Sequence, residues 1–196
     1  MGIPFNTILS DVSEYLEQKL PKYLSYHDKA HTMYVLEKAI YIAQKEGLND
    51  EDIELIKIAA LYHDIGFTST HIEHEKEGCK IASQKLEEFG FSKNQIELVC
   101  GMIMATRIPQ QPQNHMEAVL ADADLEYLGT SKYKKMSHNL FKELRHYNPK
   151  LTENEWRNIQ INFMKEHHYH TQFCRRYKSF RKQKNLECLL ENNPSA

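Results

Sequence analysis

Asn49-Asp50-Glu51-Asp52-Ile53-Glu54-Leu55-Ile56-Lys57-Ile58-Ala59-Ala60-Leu61-Tyr62-His63-Asp64-Ile65-Gly66 is the stretch on which the fold turns. Asn49 or Asp50 can cap a helix, Ile53, Ile56 and Ala60 recur at helical spacing, and Gly66 closes the segment. An apolar helix therefore ends in an adjacent His63-Asp64 pair. Burying such a pair is costly unless something neutralises the carboxylate.

The same helical period extends to both sides. Towards the N-terminus, a helix over about Asp28 to Glu46 carries Met33, Leu36, Ile40 and Ala43 on one stripe. Another covers about Phe5 to Leu20 and stops before Pro21. Towards the C-terminus, the period predicts helices over about His71 to Phe89 and, capped by Ser92, to about Thr106. Arg107 to Asn114, with two prolines and three glutamines, reads as a loop. Further helices are expected over about Met116 to Leu128, Lys132 to His146, Thr152 to His167 and Thr171 to Leu190, with a capping box at Thr152 and Glu155.

Composition agrees. Leu, Glu, Lys, Gln and Ala dominate, Gly (7) and Pro (6) are few in 196 residues, and the class expected is all-α. The length suits a single domain, 1–196, with a core over about 22–130 and C-terminal helices over 131–190 packed on it. A formal charge of −2 supplies no field to recruit nucleic acid or an anionic membrane. Cys79, Cys100, Cys174 and Cys188 form no Cys-x-x-Cys pair and read as reduced, mostly buried thiols. The start lacks a signal peptide, and Asn6 stands where a myristoylation signal wants Ser or Thr. No apolar stretch approaches a membrane span, so the expected location is cytoplasmic.

Four features carry chemistry. His27 and His31 are four residues apart on one helical face. His63-Asp64 ends an apolar helix. Asp122 and Asp124 stand inside Ala121-Asp122-Ala123-Asp124, and His71 and His74 open a helix. Imidazoles and carboxylates without thiolates suit a divalent cation such as Mn, Fe, Co, Mg or Zn rather than a closed structural zinc site.

In order and spacing, His31, His63-Asp64 and a distal Asp resemble the H…HD…D signature of the HD superfamily of metal-dependent phosphohydrolases. Leu61-Tyr62-His63-Asp64-Ile65-Gly66 is similar to that family's central motif. Tyr26-His27-x-x-x-His31 is similar to the opening motif of cyclic nucleotide phosphodiesterases, where Asn usually stands at the position of Asp28. Leu120-Ala121-Asp122-Ala123-Asp124-Leu125 resembles an Asp-Ala-Asp-Leu variant of the last motif.

The resemblance covers about residues 26–129. It implies an HD-domain helical bundle, a five-helix core with additional C-terminal helices, and phosphate-ester hydrolysis. It also implies His31, His63, Asp64 and Asp124 as ligands of one metal. Asp124 is preferred over Asp122 because relatives with this doublet ligate through the second carboxylate, and residues two apart on a helix diverge. Asp122 is then a supporting or substrate contact. By the same resemblance, Asp64 serves the chemistry as well as the ion, and His27 protonates the leaving group. Asp28 caps its helix instead.

Dinuclear relatives use further histidines, one of them where this chain has Ala105-Thr106-Arg107. Thr106 therefore favours one ion, with His74 and His71 left for substrate phosphate or a looser second metal. Arg107 is a candidate phosphate contact, with an ordinary surface arginine as the alternative. His167-His168-Tyr169-His170 reads as surface or, at most, a wall of the substrate pocket. Arg175, Arg176, Lys178, Arg181, Lys182 and Lys184 read as a solvated helix. The expected partner is a small phosphorylated substrate, such as a nucleotide or phosphorylated metabolite, and not nucleic acid or membrane. The competing readings are a non-catalytic metal- or ligand-binding sensor module and a dinuclear-iron oxygenase.

Overall fold

The computed structural model of the chain describes residues 4–191; the signal-peptide and myristoylation readings therefore fall in part outside the described residues. Within them, ten α-helices and two 3-10 turns follow one another and no strand occurs. The helices are α1 (Phe5–Lys19), α2 (Lys29–Lys45), α3 (Asp50–Tyr62), α4 (His74–Glu88), α5 (Lys93–Ala105) and α6 (His115–Asp124), then α7 (Tyr133–Tyr147), α8 (Glu153–Glu166), α9 (Gln172–Tyr177) and α10 (Ser179–Glu191). The 3-10 turns, Ile65–Thr68 and Glu126–Gly129, follow α3 and α6.

Local chemistry sets the helix starts. Asn49 accepts from the Asp52 N–H, and Asp28 accepts from the His31 N–H at 2.8 Å. Ser92 with Gln95 and Thr152 with Glu155 form reciprocal capping boxes. Each cap satisfies a backbone donor that would otherwise lack a partner, worth about 1 kcal/mol.

Two apolar clusters organise the packing. The larger joins α1 to α6: α2 and α5 lie against α3, α6 lies against α2 and α5, and α4 covers α5. On α1, Ile8, Val12 and Leu16 are buried one turn apart, each contributing about 1.5–3 kcal/mol. The smaller cluster gathers Leu125, Tyr127, Leu128, Tyr133, Ile161, Met164 and Leu186, so α7, α8 and α10 enclose the second 3-10 turn. No helix among the described residues is long and apolar enough to cross a membrane.

The structure departs from the expected elements in several places. The sixth helix stops at Asp124 rather than Leu128 and is followed by a 3-10 turn whose carbonyls take side-chain donors from beyond α8. Tyr169 Oη donates to Leu125 O and Glu126 O, and Asn185 Nδ2 donates to Leu128 O at 2.8 Å. The last helix is broken at Lys178, whose ammonium pairs with buried Glu126. His71 precedes α4 instead of opening it.

Nor is the 167–170 segment simply surface: Tyr169 is 2% exposed and packs in the main cluster. Lys182 of the basic run is also buried and donates to His167 O. Of the cysteines only Cys174 is fully buried; Cys79 and Cys100 are half-buried and Cys188 is exposed.

Candidate metal centre

Two helix ends and one first turn converge on a point. His63 caps the C-terminus of α3, and Asp64 follows with φ −107° and ψ 5°, a bridge conformation common at functional sites. Asp124 is the last residue of α6, and His31 lies in the first turn of α2, where the Asp28 cap holds its backbone. His31, His63 and Asp64 are all buried.

Their polar atoms crowd together. His63 Nε2 lies 3.0 Å from Asp64 Oδ2 and 3.7 Å from Asp124 Oδ1. His31 Nε2 lies 3.1 Å from Asp124 Oδ1 and 3.4 Å from Asp64 Oδ2. His63 Nδ1 donates to Ala60 O at 2.9 Å, so Nδ1 carries a proton and Nε2 is the ring nitrogen turned to the centre. His63 Nε2 and Asp64 Oδ2 are buried without a hydrogen-bond partner despite their proximity.

A buried carboxylate, a half-buried one and two buried imidazoles in contact favour a cation between them. Burial pulls the His63 pKa down, but the adjacent Asp64 carboxylate, with Asp124, lifts it to about 9. Burial opposes ionisation of Asp64, yet His63 and His27 hold its carboxyl well below the usual range. His31, His63 and Asp124 each offer a ligand atom within 4.8 Å of the other two, and Asp64 Oδ2 lies 3.0 and 3.4 Å from the two imidazole nitrogens. A divalent ion therefore fits this donor set.

Further side chains surround the centre. His27 Nδ1 pairs with Glu143 Oε1 of α7, whose other oxygen accepts from the backbone N–H of Tyr26 and of His27 at 2.8 and 3.0 Å. Burial lowers the His27 pKa, but Asp64, Glu143 and Asp124 outweigh it and raise it. His74, the first residue of α4, places Nε2 3.5 Å from Asp64 Oδ1. The Phe67 ring stacks with His27 at 4.1 Å and with His74 at 4.0 Å. Gly66 permits this: a Cβ there would stand 1.9 Å from His74 O.

The structure does not bring all the candidates together. Asp122 turns away, accepting from His170 N (2.8 Å), Thr171 N (2.8 Å) and Thr171 Oγ1 (2.6 Å), so it anchors the segment after α8 and touches no substrate space. Arg107 pairs at the surface with Glu73 at 3.3 Å. His71 stacks on Tyr147 at 4.2 Å, outside the cavity. Thr106 does line the cavity, but its hydroxyl donates to Ile103 O. Sequence reasoning missed Glu143 and Phe67. Phe67 stood in what read as a linker, and nothing in the α7 pattern marks Glu143.

A cavity of about 260 Å³ opens on His27, Asp64, His74 and Asp124 and is bounded beyond them by the second 3-10 turn, α7 and α8.

The sequence model of the HD-domain family matches residues 29–126. The crystal structure of a predicted HD superfamily hydrolase from an uncultured Thermotogales bacterium is similar in fold. It has 22% identity and a TM-score of 0.63, over 93% of this chain and 90% of that one. No curated protein matches the chain.

Proposed function

Because the chain belongs to the HD-domain family, we propose that it is a metal-dependent phosphohydrolase that cleaves an ester bond of a small phosphorylated substrate. The observation that carries this reading is two imidazole nitrogens set 3.0–3.7 Å from two carboxylate oxygens, with His63 Nε2 and Asp64 Oδ2 buried and unpartnered, beside a cavity. His31, His63, Asp64 and Asp124 would hold the ion, and its identity among Mn, Fe, Co, Mg and Zn is left to measurement. Such a cation supplies Lewis acidity to a phosphoryl oxygen and acidifies coordinated water.

The chain's own residues do the rest. Glu143 fixes the His27 ring through Nδ1 and favours its protonated form, which leaves Nε2 to hand a proton to the departing oxygen. A protonated leaving group departs as an alcohol rather than an alkoxide, and this assistance is typically worth 10²–10⁴-fold. A bound cation opposes the pull of Asp64 and Asp124 on that proton, so Glu143 matters more in the loaded protein. His74 can hydrogen-bond a phosphoryl oxygen beside Asp64. The aromatic floor formed by Phe67 keeps both imidazoles in place.

The test is phosphate release by purified protein supplied separately with each metal, using p-nitrophenyl phosphate and its bis-ester. Metal-dependent turnover that disappears in Asp64→Ala supports the reading. Turnover unaffected by chelator or by Asp64→Ala would sink it.

A further inference from the structure

We infer that the substrate is a phosphoester of an uncharged, largely hydrocarbon alcohol, and that the alcohol part occupies the cavity behind the metal centre. This rests on the phosphohydrolase reading and adds the chemical class of the leaving group.

The walls carry the argument. Besides the residues of the metal centre, the cavity is lined by Leu125, Leu128, Leu140, Ile159, Phe163 and Met164, with the indole of Trp156. Tyr133 and Ser137 also line this space, and the hydroxyls of both donate to Gln160 Oε1, so they are already satisfied by a neighbour in the wall. Among the described residues, no lysine or arginine lines the cavity. Arg107 and Lys178, on the flanking segments, are paired with Glu73 and Glu126.

Charge and size follow. A nucleoside di- or triphosphate would bring several negative charges into a space whose fixed charges include Asp64, Asp124 and Glu75, with only imidazoles to answer them. A single ester phosphate at the ion avoids that cost. For volume, a dry cavity of about 150 Å³ accepts benzene. The 260 Å³ here therefore suits a bicyclic aromatic or a chain of roughly ten carbons. Except for Leu125, the apolar wall residues named lie beyond residues 29–126, so the second 3-10 turn, α7 and α8 add this wall to the part of the chain that carries the ligands.

The chemistry balances simply. The ester P–O bond breaks, water oxygen forms the new P–O bond, and the departing oxygen takes a proton from His27. Water later restores that proton, and the products are the free alcohol and phosphate.

The experiment measures kcat/KM of metal-loaded protein for methyl, butyl, hexyl, octyl and decyl phosphate, for 1-naphthyl phosphate, and for AMP and ATP. Non-hydrolysable decylphosphonate is titrated in parallel against Trp156 fluorescence, Trp156 being the only tryptophan in the chain. The expected result is a rise of about three- to fourfold per methylene until the cavity fills, with AMP and ATP poorer than decyl phosphate. Decylphosphonate should also perturb the indole. Ile159 is 48% exposed at the rim, so Ile159→Asp can fold; it should lower the decyl-to-methyl ratio about tenfold or more.

A flat chain-length series, or AMP preferred over decyl phosphate, overturns the alcohol assignment and leaves hydrolysis standing. No phosphate release from any ester, with decylphosphonate still reaching Trp156, overturns the hydrolase reading instead.

Discussion

Replacing Asp122 with alanine should unfold the protein more easily without emptying the metal centre. The carboxylate is 0% exposed and accepts three hydrogen bonds from the segment that follows α8. Burial pushes its pKa up, against the pull of Thr171 and His170. In Asp122→Ala the His170 and Thr171 N–H groups lose their acceptor, at about 1–3 kcal/mol each. The Thr171 hydroxyl still has the Cys174 N–H to accept from, so its loss is smaller. The sum is about 3–5 kcal/mol, a large part of the 5–15 kcal/mol typical of a whole domain. With a urea m-value near the top of the usual 1–3 kcal/mol/M, the midpoint should fall by about 1–2 M. Circular dichroism at 222 nm reads this, and elemental analysis of the folded variant reads the metal. Asp124→Ala should do the reverse, losing the ion while the metal-free protein unfolds at an unchanged or higher urea concentration. A wild-type midpoint in Asp122→Ala, or metal lost there and kept in Asp124→Ala, would refute the assignment of the two carboxylates.

Other perturbations reach separate parts of the structure. Gly66→Ala puts a methyl 1.9 Å from His74 O, so α4 must shift; activity should drop about tenfold or more, with a lower melting temperature. Glu143→Gln removes the anion that holds the His27 proton. Because activity falls as pH rises through the His27 pKa, the alkaline limb should move to lower pH by about one unit, or tenfold in rate on that limb; an unmoved limb would remove His27 from the proton transfer. Burial and the Lys182 ammonium lower the His167 pKa to about 3. The unfolded chain therefore binds the extra proton between pH 6.5 and 3, and stability should fall with acid across that window by up to about 1.4 kcal/mol per pH unit. Thermal melts of His167→Gln should show a flatter acid limb, and an identical limb would contradict this.

What the sequence makes legible is whatever rests on local periodicity and capping. Asn49, Ser92 and Thr152 announce their helices because a capping side chain needs only its own backbone three residues on. His63-Asp64 is visible because an ionisable pair on an apolar helix end is costly without a partner. Long-range contacts are not visible in this way. Lys178, at the break in the last helix, pairs with Glu126, 52 residues away, and the turn after α6 takes bonds from Tyr169 and Asn185. Asp122 and Asp124 look alike in sequence. Their divergence depends on Thr171, which no local pattern connects to them. Glu143 reaches His27 across 116 positions from a helix with no chemical motif of its own.

The most direct test is metal stoichiometry. Wild-type protein, exposed in turn to Mn, Fe, Co, Zn and Mg and then freed of excess, should retain about one divalent ion per chain, as four protein donors lead one to expect. Asp64→Ala and His63→Ala should retain none while keeping a helical far-UV spectrum. A wild-type protein that holds no ion under any of these conditions, or an Asp64→Ala protein that keeps a full equivalent, would contradict the four-ligand centre.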